Sequence, residues 1–235
     1  MLGSVNARVL LFIALVGTLP AAQGPAFPPA AGLFDVKTRF GAVGDGVTDD
    51  TEAIRACFAA VSRGHMRTAW FPPGVYLVSD QVWFQHWVYC QGAGRERTII
   101  RLKDHCPGFQ DPASPKAILG TTDPAPSTAC RNMEFSVHVL DLAVETGVGN
   151  PGAIGIEFMS HNGGGLERVD VRAGAGSGLI GVDSRRLGDG PSYCRDVRIT
   201  GFEVGIAFAG NAFASTWEHV ELADQRGTGS SPITR

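Results

Sequence analysis

Four short segments of this chain resemble one another, and each carries charge at a fixed place. They are Val139-Leu-Asp-Leu-Ala-Val144, Leu166-Glu-Arg-Val-Asp-Val-Arg172, Cys194-Arg-Asp-Val-Arg-Ile-Thr200 and Trp217-Glu-His-Val-Glu-Leu222. Setting Leu142, Val171, Ile199 and Leu222 as equivalent inward positions gives steps of 29, 28 and 23 residues (142 to 171, 171 to 199, 199 to 222). Successive residues of a strand face opposite ways, so this register puts Asp141, Asp170, Arg198 and Glu221 in one outward column. Carboxylates on strands stacked roughly 4.8 Å apart repel, which raises the pKa of one and suits general acid work or cation binding. The next outward column holds Ala143, Arg172, Thr200 and Ala223, while Trp217 and His219 lie on the fourth segment beside Glu218. Asp141, Asp170, Glu221 and Arg198 are therefore the candidate catalytic residues, with Arg172, His219 and Trp217 as candidate substrate contacts. The same column also reads as a solvated face whose opposite charges pair between strands.

These residues need a frame that repeats. A second ladder interleaves with the first: Ile154-Gly-Ile-Glu-Phe158, Leu179-Ile-Gly-Val182 and Val204-Gly-Ile-Ala-Phe208. Setting Ile156, Ile180 and Ile206 as equivalent gives steps of 24 and 26 residues (156 to 180, 180 to 206) and points Gly155, Gly181, Gly205 and Ala207 outward as a shallow face. Two alternating ladders at a step of two to three dozen residues indicate a solenoid of parallel β coils, each burying its inward side chains against the next. A β-sandwich would also supply many short strands, but not two interleaved registers. Glycine makes up 31 of 235 residues without a triplet period, as expected of many tight turns.

Ahead of the ladders, residues 33–40 read as a strand, Gly41-Ala-Val-Gly-Asp-Gly46 as a turn, and the following segment as a helix. Asp49 with Glu52 gives a start like a capping box, with Thr48 as the competing cap. Ile54, Cys57, Phe58 and Val61 fall at the i, i+3, i+4, i+7 spacing of one buried helix face, and Gly64 ends it. Strands are expected at 68–71, 75–78, 81–90 and 98–102, followed by a long loop at 104–132 with five prolines and two cysteines. Asp45, Asp49 and Asp50 do not fit the D-x-D-x-D-G spacing of a calcium loop, and the resemblance given below implies turn and cap roles for them. Asp183, Asp189 and Asp196 are likewise placed on or beside turns.

Composition narrows the partners. An apolar share of 44% supports a real core, and the net charge of −3 with scattered Lys and Arg excludes a nucleic-acid surface. Arg8, the apolar run 9–16 and the small residues before Gly24 make residues 1–24 a signal peptide, so the mature protein is expected to be secreted with no membrane span. Residues 25–32 form a Pro/Ala linker. Five cysteines in an exported chain allow two disulfides and one free thiol. A Cys106–Cys130 bridge would stabilise its loop by on the order of 3 kcal/mol, and Cys57 falls on the buried helix face. Gly147-Val-Gly-Asn-Pro-Gly152 matches GxGxxG formally, but its proline and the lack of a following helix exclude a dinucleotide site.

Residues 34–61 and the later Phe71-Pro-Pro-Gly-Val-Tyr76 closely resemble the amino-terminal cap of the pectate-lyase superfamily, which includes rhamnogalacturonase-, polygalacturonase- and epimerase-like proteins. Phe40-Gly-Ala-Val-Gly-Asp-Gly-Val-Thr-Asp-Asp-Thr-Glu-Ala-Ile54 and the Pro-Pro-Gly-Val-Tyr turn carry the likeness, and Gly92-Ala-Gly94 before Thr98-Ile-Ile100 fits a first coil. The resemblance implies a right-handed, single-stranded parallel β-helix with a capping helix, spanning 33–235: cap 33–64, coils about 68–225 and an irregular tail at 226–235. It implies an extracellular polysaccharide, pectin-like or otherwise acidic, as partner, and a glycoside hydrolase or polysaccharide lyase as activity. A non-catalytic glycan-binding or structural β-helix, as in tailspikes, is the alternative. Hydrolysis needs two carboxylates about 5–10 Å apart; β-elimination needs a base, with Ca2+ helping in a lyase, and no metal ligands are assigned. The last coil lacks a visible cap, which exposes strand edges and favours oligomer formation through that end.

Overall fold

The computed structural model describes residues 32–64, 66–124, 134–186, 190–208 and 214–232. The signal-peptide segment, the linker up to Ala31, Cys130 and Asp189 lie outside them. The chain winds as a right-handed parallel β-helix, and every strand pairing is parallel. Each coil has three faces. The first is built from Leu33–Asp35, Arg67–Phe71, Val88–Gly92, His138–Leu140 and the leading halves of Gly165–Arg172, Ser192–Thr200 and Ser215–Ala223. The second holds Asp45–Asp49, Gly74–Val78, Thr98–Leu102, Ala143–Glu145 and the trailing halves of those three long strands. The third stacks Val82–Trp83, Lys116–Gly120, Ala153–Glu157, Ile180–Ser184, Val204–Phe208 and Thr228–Pro232.

The amino-terminal end is closed by two helices, α1 (Val36–Phe40) and α2 (Thr51–Val61). The strand expected across 33–40 stops at Asp35, whose carboxylate accepts the N–H groups of Lys37 and Thr38 and turns the chain into α1. α2 buries the expected stripe of Ile54, Cys57, Phe58 and Val61. Phe58 meets Phe71 and Phe84 at centroid distances of 5.8 and 4.9 Å, plugging the first coil. The cap differs from the capping box. Asp49 Oδ1 accepts the Thr51 N–H at 3.0 Å, and Glu52 pairs with Arg55. The buried Asp50 instead accepts the Val43 and Gly44 N–H groups at 2.7 and 2.9 Å, pinning the glycine-rich turn against the helix start. Thr48 lies in Asp45–Asp49 and donates to Asp45.

Three other expectations are corrected. Residues 81–90 form two strands in different sheets, with a bend between Val82–Trp83 and Val88–Gly92. The proline-rich segment 104–132 contains the strand Lys116–Gly120, a short apolar run that pairs with Ala153–Glu157. The irregular tail contains Thr228–Pro232, which pairs with Val204–Phe208 because main-chain pairing needs no apolar side chains. The expected disulfides are also not formed among the described cysteines. Cys57, Cys90, Cys106 and Cys194 are buried thiols outside any disulfide among the described residues, and Cys106 Sγ–H donates to the Ser79 carbonyl at 3.1 Å.

Register is where the sequence reading slipped. The stacked inward residues are Val144, Val171, Ile199 and Leu222, so Leu142 belongs two positions earlier. On the third face Ile156 stacks on Val182 and Ile206, while Ile180 stacks on Ile154 and Val204. Both slips are of two residues. On the second face that shift leaves each side chain on its own face and the apolar pattern unchanged, whereas on the third face Ile154 and Ile180 belong to a small buried cluster apart from the core residues Ile156 and Val182. The glycines of the third face point inward. A Cβ at Gly155 would lie 2.3 Å from Val171 Cγ1, and one at Gly181 2.3 Å from Ile199 Cγ2. They clear room for the second face's side chains in the core and do not form an outer groove.

A charged ladder on the second face

The corrected register rebuilds the candidate site. One outward column of the second face runs Ile99, Ala143, Asp170, Arg198, Glu221, and the other Arg101, Glu145, Arg172, Thr200, Ala223. Asp170, Arg198 and Glu221 do share a column, as expected, but Ala143 stands where Asp141 was placed. The stacked carboxylates foreseen from sequence are therefore absent from this column, because an arginine separates Asp170 from Glu221.

Asp141 lies at the corner between the first and second faces, with φ of 55°. The equivalent corner residues of the next coils are Arg168, Asp196 and His219, with φ of 54°, 54° and 50°. One left-handed residue bends each strand there without ending it. The corner column alternates acidic and basic side chains. Arg168 Nε and Nη2 donate to Asp141 Oδ1 and Oδ2 at 2.6 and 2.9 Å, and His219 Nδ1 lies 3.2 Å from Asp196 Oδ1. His219 thus sits beside the outward columns, not in them. Trp217 leaves the set altogether. It shares an inward column with Cys194 and Leu166 and packs edge-on against Phe208 at 5.7 Å.

In the coil above, the corner is widened into the loop 93–97, tied down by Gly94 N–H to the Asp141 carbonyl at 2.8 Å. The loop carries Arg95 and Glu96 over the second face. Asp170, only 1% exposed, lies beneath it. Arg172 Nη2 donates to Asp170 Oδ2 at 2.9 Å, and Arg95 Nη1 stands 3.4 Å from Asp170 Oδ1 while donating to the Asp196 carbonyl at 3.2 Å. Arg172 also donates to Glu145 Oε1 at 3.0 Å, and Arg101 Nε donates to Glu145 Oε2 at 2.7 Å. Arg198 Nε donates to Glu221 Oε2 at 2.8 Å. For Arg172, burial weakens the cation, but the hydrogen bonds to Asp170 and Glu145 outweigh it and push its pKa up. The result is a ladder of cations and anions over five coils, with the arginines partly exposed and Asp170 underneath.

This arrangement can hold an anion. The planar guanidinium forks of Arg95, Arg101, Arg172 and Arg198 can grip carboxylates in two-point fashion, exchanging an internal partner for a ligand's. It is poorly suited to calcium: each carboxylate of the two columns already faces an arginine, and among the described residues no group of three or more His, Cys, Asp and Glu side chains could hold a metal ion. Sequence spacing gave no hint of a second cluster, at the ends of the third-face strands. There Glu134 is buried, and burial pushes its pKa up. Its carboxylate accepts from Thr122 Oγ1 and the His86 N–H at 3.1 Å each, while its own N–H donates to His161 Nδ1 at 3.2 Å. These residues are tens of positions apart, and only the winding of the chain brings them together.

Comparison with known proteins agrees with the fold. The family model described as rhamnogalacturonase A/epimerase, pectate lyase-like matches residues 33–226. Mannuronan C5-epimerase AlgE6 and alginate lyase 7, both of Azotobacter vinelandii, are each 40% identical over 72 residues, covering 28% of this chain and 8% of theirs. Among solved structures, the A-module of the AlgE6 epimerase superposes with a TM-score of 0.54 at 21% identity, covering 84% of this chain and 57% of that one. Bacteriophage phi29 gene product 12 gives a TM-score of 0.54 at 21% identity, covering 74% and 24%. The chain thus spans a small part of the curated relatives and just over half of the A-module, and the structural likenesses speak to the fold. No helix among the described residues is long and apolar enough to cross a membrane. A parallel β-helix closed by α2 and matched by one family model from the first strand to the last long coil places this chain in the rhamnogalacturonase A/epimerase, pectate lyase-like family.

Proposed function

We propose that the protein is exported and acts on an acidic polysaccharide, as a lyase or glycoside hydrolase or as the amino-terminal portion of one. Uronate carboxylates would be held by the arginines of the second face. The observation that carries this reading is the ladder Arg101–Glu145–Arg172–Asp170, partly open to solvent and roofed by Arg95. Arg101 and Arg172 stand two coils apart in one column with Glu145 between them, a spacing along the helix axis that suits a chain of repeated anionic sugars. The relatives named for mannuronan and alginate support the choice of an acidic glycan. In this reading Arg172 and Arg101 neutralise a substrate carboxylate, which favours removal of the neighbouring carbon-bound proton. Asp170 and Glu145 hold those arginines in place.

A second reading, a glycan-binding β-helix without catalysis, is favoured by one fact: Asp141, Glu145, Asp170 and Glu221 are each paired with an arginine. The two are separated by incubating the protein with polygalacturonate and alginate, with and without calcium, and following unsaturated products, reducing ends and binding. Product formation that falls with Arg172→Gln supports catalysis. Binding without product, retained when Asp141, Asp170 and Glu221 are all changed to their amides, supports the second reading. Neither product nor binding on any acidic glycan overturns both.

A further inference from the structure

The first face carries a feature the charged ladder does not use. Its outward column runs Tyr89, His138, Gly165 and then Tyr193, one residue per coil. Tyr89 and His138 stack with centroids 4.4 Å apart and planes inclined by 1°. The next coil has no ring. A Cβ at Gly165 would fall 1.9 Å from the Tyr193 carbonyl oxygen, so the backbone there admits glycine alone. The coil after presents Tyr193, 39% exposed, its hydroxyl donating to Glu218 Oε2 at 2.7 Å. A cavity of about 370 Å³ opens between His138 and Tyr193, floored by Gly163 and Gly164 and edged by Glu167.

We propose that this gap is a sugar-ring slot, in which one uncharged pyranose replaces the missing rung between His138 and Tyr193. Two coil steps separate the flanking rings, roughly 9.6 Å at about 4.8 Å per coil. That leaves each face of an inserted ring standing further off than the contact between Tyr89 and His138. A puckered ring with axial hydrogens fills this gap better than a flat aromatic does, and its C–H edges meet the negative faces of the flanking rings. Glu167, about one-third exposed and paired with Arg168 at 3.2 Å, supplies an acceptor for sugar hydroxyls, and the residues lining the cavity include no lysine or arginine to receive a carboxylate. Burial lowers the pKa of His138, so its ring is uncharged at neutral pH, as a stacking partner should be. The slot lies one corner away from the arginine ladder, and a neutral residue in it would accompany acidic residues along the second face. It adds to the polysaccharide reading but does not depend on the charge chemistry of that ladder.

The test is saturation-transfer NMR on the full chain. The probes are cellotetraose, mannotetraose and galactotetraose as neutral ligands, tetragalacturonate as the acidic one, and indole as the flat one. At least one neutral tetrasaccharide should receive saturation on its ring protons. Its affinity should fall about fivefold to tenfold in Tyr193→Ala and again in His138→Ala, and stay near the parent value in Tyr193→Phe and Arg172→Gln. Far-ultraviolet circular dichroism confirms that each variant is folded. Binding of no neutral tetrasaccharide, binding unchanged by Tyr193→Ala in a folded protein, or indole bound as tightly as the sugars would each overturn the slot. Loss of tetragalacturonate binding in Arg172→Gln reports on the second face alone.

Discussion

Arg168 reaches across one coil to Asp141 and holds both of its carboxylate oxygens, at 2.6 and 2.9 Å, although both residues sit in the left-handed backbone region. The pair marks a corner where the solenoid bends without breaking its strands. The guanidinium is nearly half exposed, so water screens much of the attraction.

A double-mutant cycle with Asp141→Asn and Arg168→Gln, read by urea unfolding, should give a coupling below about 1 kcal/mol. Asp141→Val should cost clearly more than Asp141→Asn, because a β-branched side chain resists a φ of 55°. Equal costs for the two substitutions would show that backbone strain at this corner is unimportant.

Asp170 should behave differently from Glu221. Removing a buried carboxylate leaves Arg95 and Arg172 facing each other, and Asp170→Ala should lower stability by about 2–3 kcal/mol. Glu221→Gln, at an exposed pair, should leave the unfolding midpoint unchanged. A silent Asp170→Ala would mean that the carboxylate is not the anchor of the arginine ladder.

Much of this architecture is legible in the residues, and the failures share one cause. The helix stripe Ile54–Cys57–Phe58–Val61, the strand Thr98–Leu102 and the two ladders follow from periodicity, which burial enforces directly. Registers do not, because a two-residue slip keeps Leu142 and Val144 equally apolar and equally buried. What decides between them is the length of the corner, and a single left-handed Asp141 or Arg168 leaves no mark in the sequence. Hence Asp170, Arg198 and Glu221 share one column, as the spacing predicts, while Asp141 does not. The roof of Arg95 and the cluster around Glu134 depend on loops packing across many coils, information that no local pattern carries.

Acid should loosen the junction between the helix cap and the coils. Burial would raise the pKa of Asp80, but hydrogen bonds from Lys116, Arg55 and the Gln81 N–H prevail and hold it at about 2, below its ordinary 3.8. A depressed folded pKa stabilises above the unfolded value, so this contribution is complete above about pH 4 and is lost as pH falls toward 2. The carboxylate is more than one-third exposed, so the loss should stay below about 1 kcal/mol. Asp80→Asn should remove that part of the pH dependence between 4 and 2. An unchanged profile would exclude the cluster as a source of it.

The described thiols should be inert until the protein unfolds. Burial pushes Cys57 up to about 12 and raises Cys90 and Cys106 as well. In a Cys130→Ser background, Ellman's reagent at pH 8 should find almost no reactive thiol in the native protein and four after denaturation without reductant. Two or fewer after denaturation would reveal a disulfide and contradict the fold described.

The central claim is that the arginine ladder of the second face engages an acidic glycan. Isothermal titration of the full chain with oligogalacturonate and oligoalginate, for the parent and for Arg172→Gln and Arg101→Gln, tests it most directly. The account predicts measurable binding that weakens with added salt and drops about tenfold or more for each substitution in a folded protein. Binding that survives both substitutions, or its absence from the parent with either glycan, would contradict it.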